Sequence, residues 1–100
     1  MFDLTGKVAL ITGVGSPAGI GFASAKLLAK AGAKIFITST TDRIFEREKY
    51  LKSLFGKDEV YSLAADLTEE VQVLNLSKTI IKKFNKIDIL VNNAGMVQIG

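Results

Sequence analysis

A glycine-rich turn between an apolar strand and a helix constrains this chain more than any other feature of its sequence. Residues 7–11 form an apolar run behind a Thr5-Gly6 turn, as in a strand buried on both faces of a parallel sheet. TGVGSPAGIG occupies residues 12–21, and apolar residues then recur at helical spacing, at Ile20, Ala23, Leu27, Leu28 and Ala31. Glycine lets the backbone approach an anion, and the N–H groups of the first helical turn point at it. The turn therefore predicts a phosphate-binding loop.

Apolar runs and amphipathic segments alternate along the whole chain. They predict strands at 7–12, 34–39, 59–65 and 87–92, and helices at about 19–31, 42–54 and 69–84. Gly32 is placed to cap the first helix at its C-terminus, and Thr68 to cap the third at its N-terminus. The core face of the third helix is predicted at Val73, Leu76, Ile80 and Phe84. The alternation indicates an α/β fold, a Rossmann-type doubly wound parallel sheet with strand order 3-2-1-4.

A second motif, LVNNAG at residues 90–95, follows the fourth predicted strand. Together with the start LTGKVALITG at residues 4–13, it makes the chain resemble the short-chain dehydrogenase/reductase family over residues 2–100. The resemblance implies a nicotinamide dinucleotide cofactor. It also implies an oxidoreductase that interconverts an alcohol and a carbonyl compound by hydride transfer, and a homo-oligomer when the protein is complete.

The glycine loop departs from the family pattern TGxxxGxG. Five residues separate Gly13 from Gly19, two more than in the commonest subfamily. Pairing Gly19 and Gly21 with the last two glycines of the pattern makes Ile20 the first core-facing residue of the helix, and this alignment is favoured. All four residues are candidate cofactor contacts.

A second alignment of the same loop stays open. Gly13, Gly15 and Ala18 match GxGxxA, the general dinucleotide fingerprint, in which alanine can occupy the close helix-packing position. Pro17 lacks a backbone N–H, so some of the phosphate contact is expected to pass to Ser16.

The end of the second strand bears on the choice between NADP and NAD. The resemblance places the residue that contacts the adenosine ribose at Ser39, followed by Thr40, and neither is acidic. Hydroxyl groups with Arg43 nearby suit a 2′-phosphate better than a diol, so NADP is favoured over NAD. The alternative for Arg43 is a solvated position at the start of a helix.

The ends of the third and fourth strands complete the predicted site. The resemblance places Asp66 against the adenine amino group and Leu67 over the ring, with a helix cap as the alternative for Asp66. Asn92, Ala94 and Gly95 are expected beside the cofactor, with the asparagine side chains of the motif tying neighbouring strands together.

The catalytic set of the family, a Ser and a Tyr with a Lys four residues later, is not found in residues 1–100. Tyr50 is followed at that spacing by Leu54, and Tyr61 by Ala65. The sequence is therefore interpreted as a partial dinucleotide-binding domain, the N-terminal half of a dehydrogenase, with the missing portion expected beyond Gly100. A non-catalytic nucleotide-binding or interaction remnant of the same fold is the alternative.

Composition removes several other classes of protein. The chain has no Cys and no His, which excludes thiolate chemistry and the usual metal ligands, and no metal site is expected. The net charge is only +3, and the Lys and Arg residues are scattered along the sequence, so nucleic-acid binding is not expected. The sequence lacks a membrane-length apolar run and a signal-peptide layout, so a cytoplasmic protein without membrane contact is expected.

Overall fold

The computed structural model describes residues 3–16, 18–55 and 59–93. These residues form β1 (Val8–Thr12), α1 (Ile20–Lys30), β2 (Lys34–Ser39), α2 (Ile44–Phe55), β3 (Val60–Ala64), α3 (Glu70–Phe84) and β4 (Ile89–Val91). Each predicted strand and helix is present, with ends that differ by at most two residues. None of the described helices has the length and apolar character needed to cross a membrane.

The four strands form one parallel sheet in the predicted order, β3-β2-β1-β4. Leu10 of β1 pairs with Phe36 of β2 on one side and with Leu90 of β4 on the other. All five residues of β1 are buried, as the unbroken apolar run predicts for the strand in the middle of a parallel sheet.

Helices cover both faces of the sheet because successive side chains of a strand point to opposite sides. Ala9 and Ile11 belong to the core under α1 and α2, whereas Val8 and Leu10 belong to the core under α3. The fold is therefore doubly wound, with β1 contributing to two apolar layers.

The predicted core face of α1 is wrong at Ile20 and Leu27, whereas Leu28 of the predicted set packs against the core. Ile20 is 75% exposed and Leu27 is 70% exposed, whereas Phe22, Ala25 and Ala29 are buried against the sheet. The reason lies at the start of the helix. A Cβ on Gly21 would lie 2.6 Å from the Gly13 carbonyl oxygen, so the helix meets the sheet on the side of Gly21. Ile20 and Leu27 consequently face away from the sheet.

The helix ends confirm one predicted cap and correct another. Gly32 follows the Ala31 C-cap of α1 with a φ of 104°, a left-handed conformation that favours glycine. The N-cap of α3 is Glu69, not Thr68. The carboxylate of Asp66 binds Thr68 and holds the turn before the helix instead. The predicted face of α3 is confirmed at its centre, where Leu76 and Ile80 are buried.

Candidate functional site

The carboxyl ends of the strands open into a cleft of about 900 Å³. The chain leaves β1 toward β2 through α1 on one face of the sheet, and reaches β4 through α3 on the other face. Beside β1 the order of the strands reverses, and this switch point is where doubly wound sheets bind their ligands.

Nine predicted site residues line this cleft, drawn from all four strand ends. They are Gly13, Gly15, Ser16, Ser39, Thr40, Arg43, Asp66, Leu67 and Asn92. Gly19, Ile20 and Gly21 lie at the start of α1 and are not among the lining residues. Ala94 and Gly95 fall outside the described residues. The fold thus brings together residues that are separated by up to 79 positions, from Gly13 to Asn92.

The glycine loop is held to the sheet at one end and folded on itself at the other. Gly13 has a φ of 70°, in the left-handed region, and the next amide, Val14 N–H, donates to the Thr38 carbonyl at 3.1 Å. Farther along, the Ser16 hydroxyl accepts from Ala18 N–H at 3.3 Å, and the Ser16 carbonyl accepts from Gly19 N–H at 3.3 Å. Because a hydroxyl that accepts can also donate its own proton, Ser16 keeps the chemistry required of a phosphate contact.

Gly15 brings the loop against the end of β2. A Cβ at this position would lie 3.3 Å from the Ser39 hydroxyl oxygen, closer than most side-chain contacts. The loop after β1 and the end of β2 are therefore adjacent walls of one cleft.

Gly21 decides between the two alignments of the loop. A Cβ on Gly21 would lie 2.6 Å from the Gly13 carbonyl oxygen and 2.8 Å from Asn93 Nδ2, so only glycine fits between helix and sheet. Ala18 is exposed and does not occupy a close-packing position. The structure thus favours the alignment that pairs Gly19 and Gly21 with the last two family glycines. The core-facing Ile20 expected from that alignment is wrong.

The two glycines at the start of α1 differ in what they tolerate. Gly19 is the N-cap, with extended backbone, and a Cβ there would make only ordinary contacts at 3.6 Å with Ser16. The need for glycine at 21 comes from the packing of the protein itself and requires no bound ligand.

The end of β2 presents polar groups that are partly organised by one another. The Ser39 hydroxyl donates to the Thr41 carbonyl at 3.2 Å, and the Thr41 hydroxyl accepts from Arg43 N–H at 3.4 Å. Thr40 and Arg43 are exposed and line the cleft. Arg43 is exposed just before α2, as its solvated alternative expects, and it also lines the cleft. Its contact with a 2′-phosphate stays a prediction.

Asp66 holds the turn after β3. Its Oδ1 accepts from Thr68 N–H at 3.0 Å and from the Thr68 hydroxyl at 2.6 Å. These bonds stabilise the anion, the hydroxyl bond most, and lower the pKa of Asp66 below the usual 3.8 of an aspartate. The carboxylate is thus ionised at neutral pH. The helix-cap alternative for Asp66 is wrong, because the N-cap of α3 is Glu69, and Asp66 holds the preceding turn instead. Its predicted contact with adenine stays a prediction.

A buried threonine that was not among the predicted site residues connects β1 to the end of β4. The Thr12 hydroxyl lies 3.1 Å from Asn92 Oδ1, to which it donates, and accepts from Asn93 N–H at 2.8 Å. The expectation that the asparagine motif ties strands together is confirmed for the Asn92 side chain. Thr38 has a similar role on the neighbouring strand, where it donates to the Leu63 carbonyl at 2.6 Å. The sequence feature that could have identified Thr12 and Thr38 is a hydroxyl group near the end of an otherwise apolar, buried strand.

The cleft continues as an apolar recess between α3 and β4. Its walls include Leu10, Leu76 and Ile87, together with Leu90, which is 61% exposed on the strand at the edge of the described sheet. The site therefore has a polar half at the strand ends and an apolar half beside β4.

Comparison with known proteins gives a consistent match over nearly the whole chain. The short chain dehydrogenase family model matches residues 7–100. A probable NADP-dependent mannitol dehydrogenase of Yarrowia lipolytica is 43% identical over 96 residues, which are 95% of this chain and 33% of that protein. L-sorbose reductase from Gluconobacter frateurii, solved with NADPH and L-sorbose, superposes with a TM-score of 0.87 at 39% identity, covering 97% of this chain and 36% of that one.

A NAD+-bound xylitol dehydrogenase superposes on this chain with a TM-score of 0.83 at 34% identity, covering 93% of this chain and 35% of that one. The chain spans about a third of the length of these similar proteins. The superpositions thus cover the sheet and helices described above and leave most of each larger protein unmatched.

Proposed function

Because the chain belongs to the short-chain dehydrogenase family, we propose that its cleft binds a nicotinamide dinucleotide for an alcohol–carbonyl oxidoreductase. The observation that carries the proposal is the meeting of four strand ends in one cleft, with the glycine loop against the end of β2. When bound, the cofactor would donate hydride to a carbonyl compound in its reduced form and accept hydride from an alcohol in its oxidised form.

The loop between β1 and α1 would hold the pyrophosphate. Gly15 offers backbone without a side chain, Ser16 a hydroxyl, and the start of α1 after Gly19 a set of amides ahead of the first intrahelical bond. That bond runs from Ala23 N–H to the Gly19 carbonyl, so the preceding amides point out of the helix toward an anion. The residues of this loop therefore fit a phosphate, because they offer backbone amides and a hydroxyl group without a side chain in the way.

The end of β2 would hold the adenosine ribose, and its chemistry favours NADP. Ser39, Thr40 and Arg43 line the cleft, and Asp42, the acidic residue beside them, is not among the lining residues. A carboxylate here would repel a 2′-phosphate, whereas a guanidinium attracts it. Structures with NADPH or NADP and a structure with NAD+ all occur among the similar proteins, so the residues at the end of β2 carry the preference.

The remaining contacts follow from position in the cleft. Asp66 and Leu67 would meet the adenine, and Asn92 would lie beside the nicotinamide half of the cofactor. Ala94 and Gly95 of the same motif lie outside the described residues and stay predicted cofactor neighbours. The apolar recess next to β4 would then face the region of the site that receives the substrate. We further propose that the chain is a partial domain whose catalytic Ser, Tyr and Lys come from outside these 100 residues, and that substrate binding and oligomerisation need that remainder.

Titration calorimetry with NADP+ and NAD+ tests the cofactor assignment. Arg43→Ala should weaken NADP+ binding by about 1–2 kcal/mol, because Arg43 is exposed and its pairing with the 2′-phosphate is screened. NAD+ binding should be unchanged. Lys82→Ala removes the same charge from an exposed position on α3 and should affect neither cofactor. Equal losses for both dinucleotides would contradict the NADP preference, and no binding of either would contradict the proposed function for this chain.

A further inference from the structure

A second concave surface lies between α1 and α2, away from the cleft. It is a groove of about 620 Å³ whose lining shares no residue with the cleft at the strand ends. Its walls are Phe22, Lys26, Glu46, Arg47, Lys49, Tyr50 and Ser53. Nothing in the proposed dinucleotide site uses these side chains, so the groove needs an explanation of its own.

The floor of the groove is aromatic and carries two cations on one ring. The rings of Phe22 and Tyr50 lie 5.6 Å apart between centroids. The Lys26 ammonium is 5.1 Å from the Phe22 centroid, and the Arg47 guanidinium carbon is 5.6 Å from the same centroid. Attraction to the electron-rich face of the ring helps to hold both cations there, although like charges repel. The result is a concentration of positive charge over an apolar base.

The charge of Arg47 is poorly compensated. Its ion pair is with the neighbouring Glu46, at 3.4 Å, and the Glu46 side chain is 73% exposed, so the pair is weak. The Arg47 side chain is only 15% exposed, and its Nε has no hydrogen-bond partner among the described residues. A buried donor without an acceptor is costly, so a ligand that offers an acceptor to Arg47 would stabilise this part of the protein.

We propose that this groove binds an oxyanion, the phosphate or carboxylate group of a small ligand. The anion would lie between Lys26 and the exposed edge of Arg47, with Lys49 adding charge at the groove. A guanidinium binds an oxyanion through paired N–H groups, so the exposed part of Arg47 has the chemistry that such a ligand requires. Tyr50, which is 48% exposed, supplies apolar contact for the rest of the ligand. The site is independent of the dinucleotide cleft.

Chemical protection of arginine tests the proposal on the full chain. Arg43 and Arg47 are the only arginines in the sequence, and they belong to the cleft and the groove respectively. Phenylglyoxal modification followed by mass spectrometry therefore reports each site separately. Inorganic phosphate, compared with chloride at equal ionic strength, should slow modification of Arg47 several-fold. A second series with acetate distinguishes a phosphate from a carboxylate ligand, and protection by either supports the groove site.

Two matched variants separate a built site from general charge attraction. Lys26→Met removes the charge but keeps the aliphatic part of the side chain against Phe22. It should raise the phosphate concentration needed to protect Arg47 about fivefold, whereas Lys82→Met on α3 should not change that concentration.

Tyrosine fluorescence gives a second measurement. In a Tyr61→Phe background, Tyr50 is the sole tyrosine, and phosphate should change its fluorescence in a way that Arg47→Met abolishes. Equal modification of Arg47 in phosphate, acetate and chloride would overturn the proposal, as would equal effects of the two lysine variants. Protection of Arg43 alone would support the cleft and overturn the groove.

Discussion

The two strands that flank β1 differ in how far they pair with it and in how deeply they are buried. Toward β2, β1 pairs over five residues, and the interior residues of β2, from Ile35 to Thr38, are all buried. Toward β4 the ladder covers three residues, none of which is buried on β4. The two strands are similarly apolar in sequence, so apolar character alone does not bury a strand. Burial requires a paired edge and a covered face, and β2 has both, between β1 and β3.

The largest expected effect lies on the completed side, at the contact between α1 and the end of β1. Gly21→Val places a side chain within 3 Å of the Gly13 carbonyl oxygen, and the helix has to move. We expect a loss of about 3 kcal/mol in the free energy of unfolding, measured by urea denaturation. Gly19→Ala, two positions earlier, should cost well under about 1 kcal/mol, since its Cβ makes ordinary contacts. Equal losses for the two variants would contradict the packing role of Gly21.

The next effect concerns the bridge between the two sides. Thr12→Val keeps the shape of the buried side chain but removes the acceptor of Asn93 N–H and the donor to Asn92. We expect a loss of about 1–3 kcal/mol in unfolding free energy, with faster hydrogen exchange at β4 than at β2. Thr38→Val is the matched change on the completed side, where it breaks one bond to Leu63. Faster exchange at β2 after Thr12→Val would contradict the bridging role.

The start of β4 gives the comparison a pH dependence. The Asp88 carboxylate accepts from Val8 N–H at 2.8 Å and lies 3.1 Å from the Lys86 ammonium. The backbone bond first, and Lys86 second, lower the pKa of Asp88 below 3.8. A lowered folded-state pKa stabilises the fold above the unfolded-state value, and this contribution is lost as pH falls through the folded-state pKa.

Asp88→Asn should therefore be less stable than the parent chain at pH 7, and the difference should shrink as the solution is acidified below the ordinary aspartate range. Parallel denaturation curves of the two proteins over that range measure it. A constant difference at every pH would show that ionisation of Asp88 does not hold β4 to β1.

The smallest expected effect on stability is at the exposed edge. Leu90→Thr keeps a strand-forming residue and removes apolar surface that is already mostly in water, so unfolding free energy should change by about 0.5 kcal/mol or less. Self-association, measured by sedimentation, should decrease because β4 loses an exposed apolar group. Ile37→Thr on β2 is the contrasting variant. Because Ile37 is fully buried, this change should lower the unfolding free energy several times more than Leu90→Thr does.

Much of the fold could be predicted because its elements are short, regular and strongly patterned. The run before the glycine loop identifies β1, and alternation with helices implies the order β3-β2-β1-β4. The site could be outlined for the same reason, since residues after parallel strands meet at one edge of the sheet. The face of α1 was predicted wrongly at Ile20 and Leu27. Ile20 and Leu27 have helical spacing, as Phe22, Ala25 and Ala29 do, and periodicity cannot choose between two apolar faces of one helix.

The sequence by itself determined the strands, the helices, their order in the sheet and the place where the polar strand ends would gather. Local backbone preference and hydrophobic periodicity act over a few residues, so they can be recognised from the sequence alone. Only the tertiary structure decided which face of α1 meets the sheet, that Gly21 serves packing, and that Thr12 links β1 to β4. It also created the groove in which Lys26 and Arg47 share the ring of Phe22. These features depend on atoms that meet across two elements at distances of a few ångströms, and such contacts exist only once the elements have packed.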